Sequence, residues 1–147
     1  MERTPVATSG MARFVLDCSV VFSWFFADES NDYADSIARI LSTAMVIVPD
    51  IWPLEVANTL LVGQRRKRNT ESEAAGFLHR LSVLPIELDG QTAAHAWSKT
   101  IALARMYSLS AYDAAYLELA MRHRVPLATL DEELKKAATA AGIAIFR

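Results

Sequence analysis

Phe14-Val15-Leu16 is an unbroken apolar run that stops abruptly on Asp17. A strand apolar at every position is buried on both faces, which is how strands of parallel sheets read. Met45-Val46-Ile47-Val48, ahead of Pro49, repeats the pattern. Leu84 to Leu88, Leu127 to Leu130 and Ile143 to Phe146 are three further short runs. Between the runs the periodicity is helical, over about Ser19–Phe25, Asp32–Thr43, Trp52–Lys67, Thr70–Leu81, Thr92–Met106, Ala111–Arg122 and Glu132–Ala140. Short buried strands separated by such helices predict an α/β fold. The expected form is a three-layer α/β/α sandwich around a mostly parallel sheet of four to five strands, with right-handed crossovers.

No repeat, low-complexity tract or linker divides the chain, so residues 11–147 read as one domain. Gly142 ahead of Ile143 reads as a helix stop. Met1 to Gly10 contains Glu2, Arg3, Pro5 and Gly10 and reads as a disordered leader or cloning remnant, with Met11 a candidate start. It has no apolar core of a signal peptide. Val20 to Ala27 is the longest strongly apolar stretch, far short of the ~20 residues a membrane helix needs. At 147 residues and 52% hydrophobic composition, the chain has material for a real core. Fifteen Lys and Arg against 17 Asp and Glu give a net charge of −2, which excludes a broadly basic face but not a local patch. The single cysteine, Cys18, excludes an internal disulfide and fits a reducing, cytoplasmic compartment. It reads as core packing, pointing away from its neighbours Asp17 and Ser19. Trp24, Phe25 and Phe26 are consecutive and cannot all face one core, so at least one is expected under a partner. Trp52 and Trp97 read as core or interface, and His79, His95 and His123 share no metal-like spacing.

In open parallel sheets, ligands bind beyond the carboxyl ends of the strands. Asp17 ends the first strand and Asp131 follows the fourth. Glu55 falls in the first turn of the helix after the second strand, and Asp113 in the first turn of the helix leading into the fourth. Asp113 joins the same edge if Thr92–Met106 and Ala111–Arg122 form a hairpin. Each acid also has a structural reading. Asp17 and Asp131 can cap helices, Asp113 can be the reciprocal half of a capping box opened by Ser110, and Glu55 can complement a helix dipole. For Asp17 a functional role is favoured, because an acid directly after a fully buried strand is costly unless paired or metal-bound. Clustered carboxylates raise one another's proton affinity, and a divalent cation relieves the conflict. An all-oxygen donor set selects Mg²⁺ or Mn²⁺, which polarises a phosphate and acidifies water.

Four segments together resemble the motifs of PIN-domain nucleases. They are Phe14-Val15-Leu16-Asp17-Cys18-Ser19-Val20-Val21, Pro49-Asp50-Ile51-Trp52-Pro53-Leu54-Glu55-Val56-Ala57-Asn58, Leu109-Ser110-Ala111-Tyr112-Asp113-Ala114-Ala115-Tyr116 and Leu127-Ala128-Thr129-Leu130-Asp131-Glu132-Glu133-Leu134. Length and element order look most like the VapC-type toxins of toxin–antitoxin pairs. The resemblance implies a PIN-like fold in which the hairpin does return Asp113 to the strand edge. It implies a Mg²⁺-dependent endoribonuclease, with Mn²⁺ a possible substitute, an RNA substrate, a homodimer and a cognate antitoxin. Asp17 and Asp113 would ligate the ion directly, with Glu55 and Asp131 direct or through water. Ser19 and Thr129 would orient a carboxylate, a water or a substrate phosphate, or else cap helices and turns. Arg65-Arg66-Lys67-Arg68 reads as a solvated helix end or as a contact to RNA phosphates about 15 Å from Glu55, at ~1.5 Å per residue. The rival from another class is a catalytically silent PIN-fold module that binds protein. A haloacid-dehalogenase-type phosphatase would need an acid where Ser19 stands, and no glycine motif of a P-loop or dinucleotide site occurs.

Overall fold

Strand β1 (Arg13–Leu16) lies inside the sheet, and Phe14, Val15 and Leu16 have no exposed surface. The computed structural model describes residues 11–147, so the leader expected over residues 1–10 lies outside the described residues. β2 (Met45–Pro49), β3 (Ile86–Asp89) and β4 (Leu127–Ala128) complete a four-stranded sheet in the order β3-β2-β1-β4, parallel throughout. Helices cover both faces, giving the α/β sandwich expected from the unbroken apolar runs.

Helix α1 (Cys18–Phe25) follows β1 directly, and α2 (Asp32–Ile40) is capped by Asn31, whose side chain accepts from the Ala34 amide at 3.1 Å. α3 (Trp52–Arg65) carries Pro53 in its first turn, where the missing donor costs nothing. α4 (Glu71–Ser82) opens on a complete capping box between Thr70 and Glu73. Gly63 of α3 lets the loop before α4 pack close, because a Cβ there would collide with Asn69 Oδ1. α5 (Thr92–His95) runs into a π-helical stretch, Ala96–Thr100, and then α6 (Ile101–Tyr107). The predicted single helix over 92–106 is thus widened in its middle.

α7 (Ala111–His123) packs on β1, β2 and α6, and every residue from Ala114 to Ala120 is buried. Its last turn leads within three residues into β4, so α7 runs back against the strand direction. That course alone returns its first turn to the carboxyl edge of the sheet. The expected hairpin with α6 is present, but it supports this placement rather than causing it. α8 (Glu132–Ala140) follows β4, with Asp131 as its N-cap.

The fourth strand is shorter than predicted, because Thr129 and Leu130 leave the sheet. The fifth is reduced to a bridge between Leu127 and Ile145, reached after Gly142 at φ 81°. Phe146 instead stacks on Phe14 at 4.3 Å between ring centroids. Of the three consecutive aromatics, Phe26 is buried and Trp24 and Phe25 are half-buried within the chain. The Trp24 indole donates to the Ala34 carbonyl at 2.7 Å, Phe25 packs on Phe77, and Phe26 is buried. Trp97 is 94% exposed and forms no part of the core.

Phe14 joins the sheet to the C-terminal segment through that stack. Phe14→Ala is expected to cost about 3–5 kcal/mol, read as a lower urea midpoint with an unchanged slope.

Candidate active site

Asp17 is only 6% exposed at the end of β1, yet it offers no capping hydrogen bond to α1. Its Oδ2 accepts from the Ser19 hydroxyl at 2.6 Å and from the Thr129 hydroxyl at 2.7 Å. The same hydroxyl oxygens accept backbone amides, Ser19 Oγ from Leu130 at 2.9 Å and Thr129 Oγ1 from Asp131 at 3.0 Å. The knot ties the β1–α1 junction to the loop after β4. Both hydroxyls therefore orient a carboxylate, one of the roles expected for them.

Glu55 stands in the first turn of α3. Its Oε1 accepts from the buried Tyr116 hydroxyl at 2.6 Å, and the Cys18 thiol lies 3.8 Å away. Asp113 stands in the first turn of α7, its amide donating to Ser110 Oγ at 3.1 Å. Only that half of the anticipated capping box forms. Asp131 accepts the Leu134 amide on Oδ1 at 2.9 Å, so its capping role is real.

The acids feel one another. Burial is the largest influence on each of the three that shift, and it pushes all three upward. Asp131 adds repulsion at Asp17, and Asp17 and Asp113 add it at Glu55. Asp113 is pushed up to about 6, by burial first and then by Asp17 and Asp131. Hydroxyl hydrogen bonds oppose the shift at Asp17 and Glu55 without cancelling it. Among the described residues, no salt bridge reaches any of the four acids.

As the side chains stand, no three His, Cys, Asp or Glu groups among the described residues are arranged to hold an ion. The fit to a hard cation is one of donor chemistry and charge: oxygen donors only, with Asp17, Glu55 and Asp113 held above their ordinary range and no salt bridge to them among the described residues. Mg²⁺ keeps several waters, so a looser set of carboxylates suits it better than a closed cage.

Two neighbours were missed. Tyr116 lies one helical turn beyond Asp113, a spacing that puts both on one side of α7. Cys18, expected to point away, is buried against Tyr116 and Glu55. The basic run divides in two. Arg65, Arg66 and Lys67 are exposed, and Lys67 takes a left-handed conformation at φ 60° as α3 ends. Arg68 folds back over the Phe26 ring and pairs with Asp28 and Glu29 at 2.9 and 3.0 Å.

A family profile described as PIN domain matches residues 14–140. Ribonuclease VapC3 of Pyrobaculum aerophilum is 31% identical over 123 residues, covering 83% of this chain and 92% of that protein. The crystal structure of PAE2754, also from Pyrobaculum aerophilum, superposes with a TM-score of 0.62 at 21% identity, over 86% of this chain and 79% of that one. That likeness bears on the fold alone.

A carboxylate raised by folding binds its proton more tightly folded than unfolded. Stability therefore falls as pH rises from the ordinary value of 3.8 toward the Asp113 value of about 6. In chelator, the melting temperature is expected to be higher near pH ~5 than near pH ~7.5 from this source. Asp113→Asn is expected to raise the midpoint at the higher pH by about 2–5 °C, after allowance for solvent screening. Scanning calorimetry of both proteins across that range checks it, and a variant no more stable than wild type places Asp113 outside the cluster.

Proposed function

The chain belongs to the PIN-domain family, and on that premise we propose that it is a Mg²⁺-dependent endoribonuclease acting as the toxin of a VapC-type toxin–antitoxin pair. The observation that carries the reading is the uncompensated charge at the carboxyl edge of the sheet. Asp17, Glu55 and Asp113 are raised first by burial and then by neighbouring acids, and among the described residues no salt bridge reaches them. The ribonuclease name of a relative that matches most of the chain supports RNA as the substrate.

In this proposal Asp17 and Asp113 hold the ion directly, and Glu55 and Asp131 do so directly or through water. Mg²⁺, or Mn²⁺ in its place, supplies positive charge to the phosphate oxygens and makes water a better nucleophile. Ser19 and Thr129 hold the Asp17 carboxylate in place through its Oδ2. Tyr116 does the corresponding service for Glu55. The reaction is hydrolysis of a phosphodiester by in-line attack of water, with no covalent intermediate. Arg65, Arg66 and Lys67, exposed at the far end of α3, meet phosphates flanking the cut. Arg68, already held by Asp28 and Glu29, contributes least. A homodimer, a cognate antitoxin over the acidic edge and a cytoplasmic location complete the proposal. Among the described residues, no helix is long and apolar enough to cross a membrane.

The rival, a silent protein-binding module, draws support from the side chains not closing on one point. Metal response separates the two. Mg²⁺ is expected to raise the melting temperature of the isolated chain, and Asp17→Asn to abolish most of that gain. RNA cleavage is expected to require divalent metal and to stop in Asp113→Ala. Cleavage that survives excess EDTA, or an equal Mg²⁺ gain in Asp17→Asn, overturns the nuclease reading.

The basic run gives an independent test. Replacing Arg65 and Arg66 by alanine is expected to weaken RNA binding and to flatten the plot of log K against log salt by about 0.7 per lost phosphate contact. A slope unchanged in both single variants and in the pair assigns the run to solvation of the helix end.

A further inference from the structure

Glu55 begins a stripe that runs the length of α3. At the helical repeat, Thr59, Val62 and Arg66 follow it on one face, with Asn58 at the border. These four residues line a cavity of 280 Å³, and Phe26, just past the end of α1, and Arg68 complete its lining. Along the axis Asn58 stands about 5 Å from Glu55 and Arg66 about 16 Å, at ~1.5 Å per residue. The cavity therefore begins one turn from an acid of the site and ends at the basic run. Asn58 is exposed and Thr59 half-buried, and among the described residues neither side chain is hydrogen-bonded. Arg68 lies over the Phe26 ring, its Cζ 4.0 Å from the centroid, and its Nη2 donates to Asp28 and to Glu29. Two acids offset its charge, and the ring and the acids together hold it in place. What it offers a ligand is a flat, fixed group rather than a free cation.

We infer that this cavity is a subsite for one unpaired base of the RNA, beside the cut: Arg68 supplies the stacking surface, Asn58 and Thr59 read the base edge, and Arg66 meets the adjoining phosphate. The inference rests on the nuclease reading above and adds to it the residues that select sequence. Single-stranded RNA is recognised by stacking its bases on aromatic rings or guanidinium planes and by hydrogen bonds to their edges. Phe26 is buried, so the guanidinium above it, not the ring, is the surface presented to a base. An amide side chain carries both donors and an acceptor, and a hydroxyl carries one of each kind, so Asn58 and Thr59 can tell one base edge from another. The volume falls just below the roughly 300–1,000 Å³ of sites for drug-sized ligands, which suits a single base. A strand leaving the acids along α3 meets this cavity before it reaches the exposed cations at the end of the helix.

The test is cleavage of random-sequence RNA by the full chain in Mg²⁺, with the cut ends sequenced and single substrates followed by kcat and KM. The wild type is expected to favour one base at one fixed position beside the cut. Asn58→Ala removes an exposed side chain from a helix surface, so its melting temperature is expected to hold. Its preference at that one position is expected to fall about tenfold while preferences elsewhere stay, which a general loss of binding would not produce. Arg68→Lys keeps a cation for Asp28 and Glu29 but has no plane on which a base can stack. Its KM is expected to rise about tenfold for every sequence, with kcat changed far less. If Arg68→Lys melts below the assay temperature, Asn58→Ala decides the matter. A wild-type chain that cuts no RNA removes the nuclease reading itself. Wild-type cutting without base preference, a preference that Asn58→Ala leaves unaltered, or a KM unmoved in folded Arg68→Lys overturns this inference alone and leaves the cavity to a protein partner.

Discussion

The fold is organised by the difficulty of placing one carboxylate directly after three strand residues with no exposed surface. β1 delivers Asp17 into a region walled by the core, where an ion is expensive unless something answers it. Two hydroxyls answer one oxygen, and their own oxygens bind the backbone of the loop after β4. Removing the acid would strand those hydroxyls, and removing the hydroxyls would strand the acid. The edge of the sheet is therefore specified by a polar network that functions as a unit. Its partial satisfaction leaves Asp17 raised rather than at rest.

Elsewhere the chain neutralises buried acids with arginine. Glu118 is only 3% exposed, yet Arg122 reaches it at 2.7 Å and spans to Asp89 with a further 2.7 Å contact. Asp89 is accordingly held below its ordinary range, chiefly by the hydrogen bonds from Arg122. Even the exposed Asp28 and Glu29 share Arg68. Against that practice, the acids at the carboxyl edge stand out. Asp17, Glu55 and Asp113 are raised first by burial and then by neighbouring acids, with no salt bridge to them among the described residues, a pattern that concentrates at functional sites.

What could be read from the sequence follows from periodicity and strand ends. The apolar runs of β1 and β2 have one physical interpretation, and the positions of Asp17, Glu55 and Asp113 relative to strands and helix starts follow from it. Contacts set by tertiary approach were not legible in that way. The Tyr116 bond to Glu55 joins residues 61 apart, and the Thr129 bond to Asp17 joins residues 112 apart. The run Leu127 to Leu130 reads as a four-residue strand, but the Thr129 hydroxyl is recruited by Asp17 and the strand ends at Ala128. The fifth run pairs with Leu127 only through one bridge, the Phe146 amide donating to the Leu127 carbonyl at 2.9 Å, while the Phe146 ring stacks on Phe14. The basic run looked uniform, yet among the described residues only Arg68 of the four pairs with acids. Of the two readings of Trp97, core or interface, its exposure on the π-helical stretch removes the first.

α7 links stability to the site. Seven consecutive residues, Ala114 to Ala120, are buried, so the helix is covered around its whole circumference and cannot shift without disturbing the core. It carries Asp113 at one end and Tyr116 a turn later, and through Tyr116 it fixes Glu55 on another helix. The geometry of two acids thus depends on one rigid element, and that of Asp17 on the hydroxyl knot. The repulsion among the acids opposes folding, and the packing of α7 opposes relaxation of the acids away from one another. A chain without that packing could lower its electrostatic cost by letting the first turn of α7 fray, and Asp113 would leave the cluster. The apolar surface of the helix is therefore what keeps the carboxylates in conflict, and the conflict is what gives a cation something to resolve.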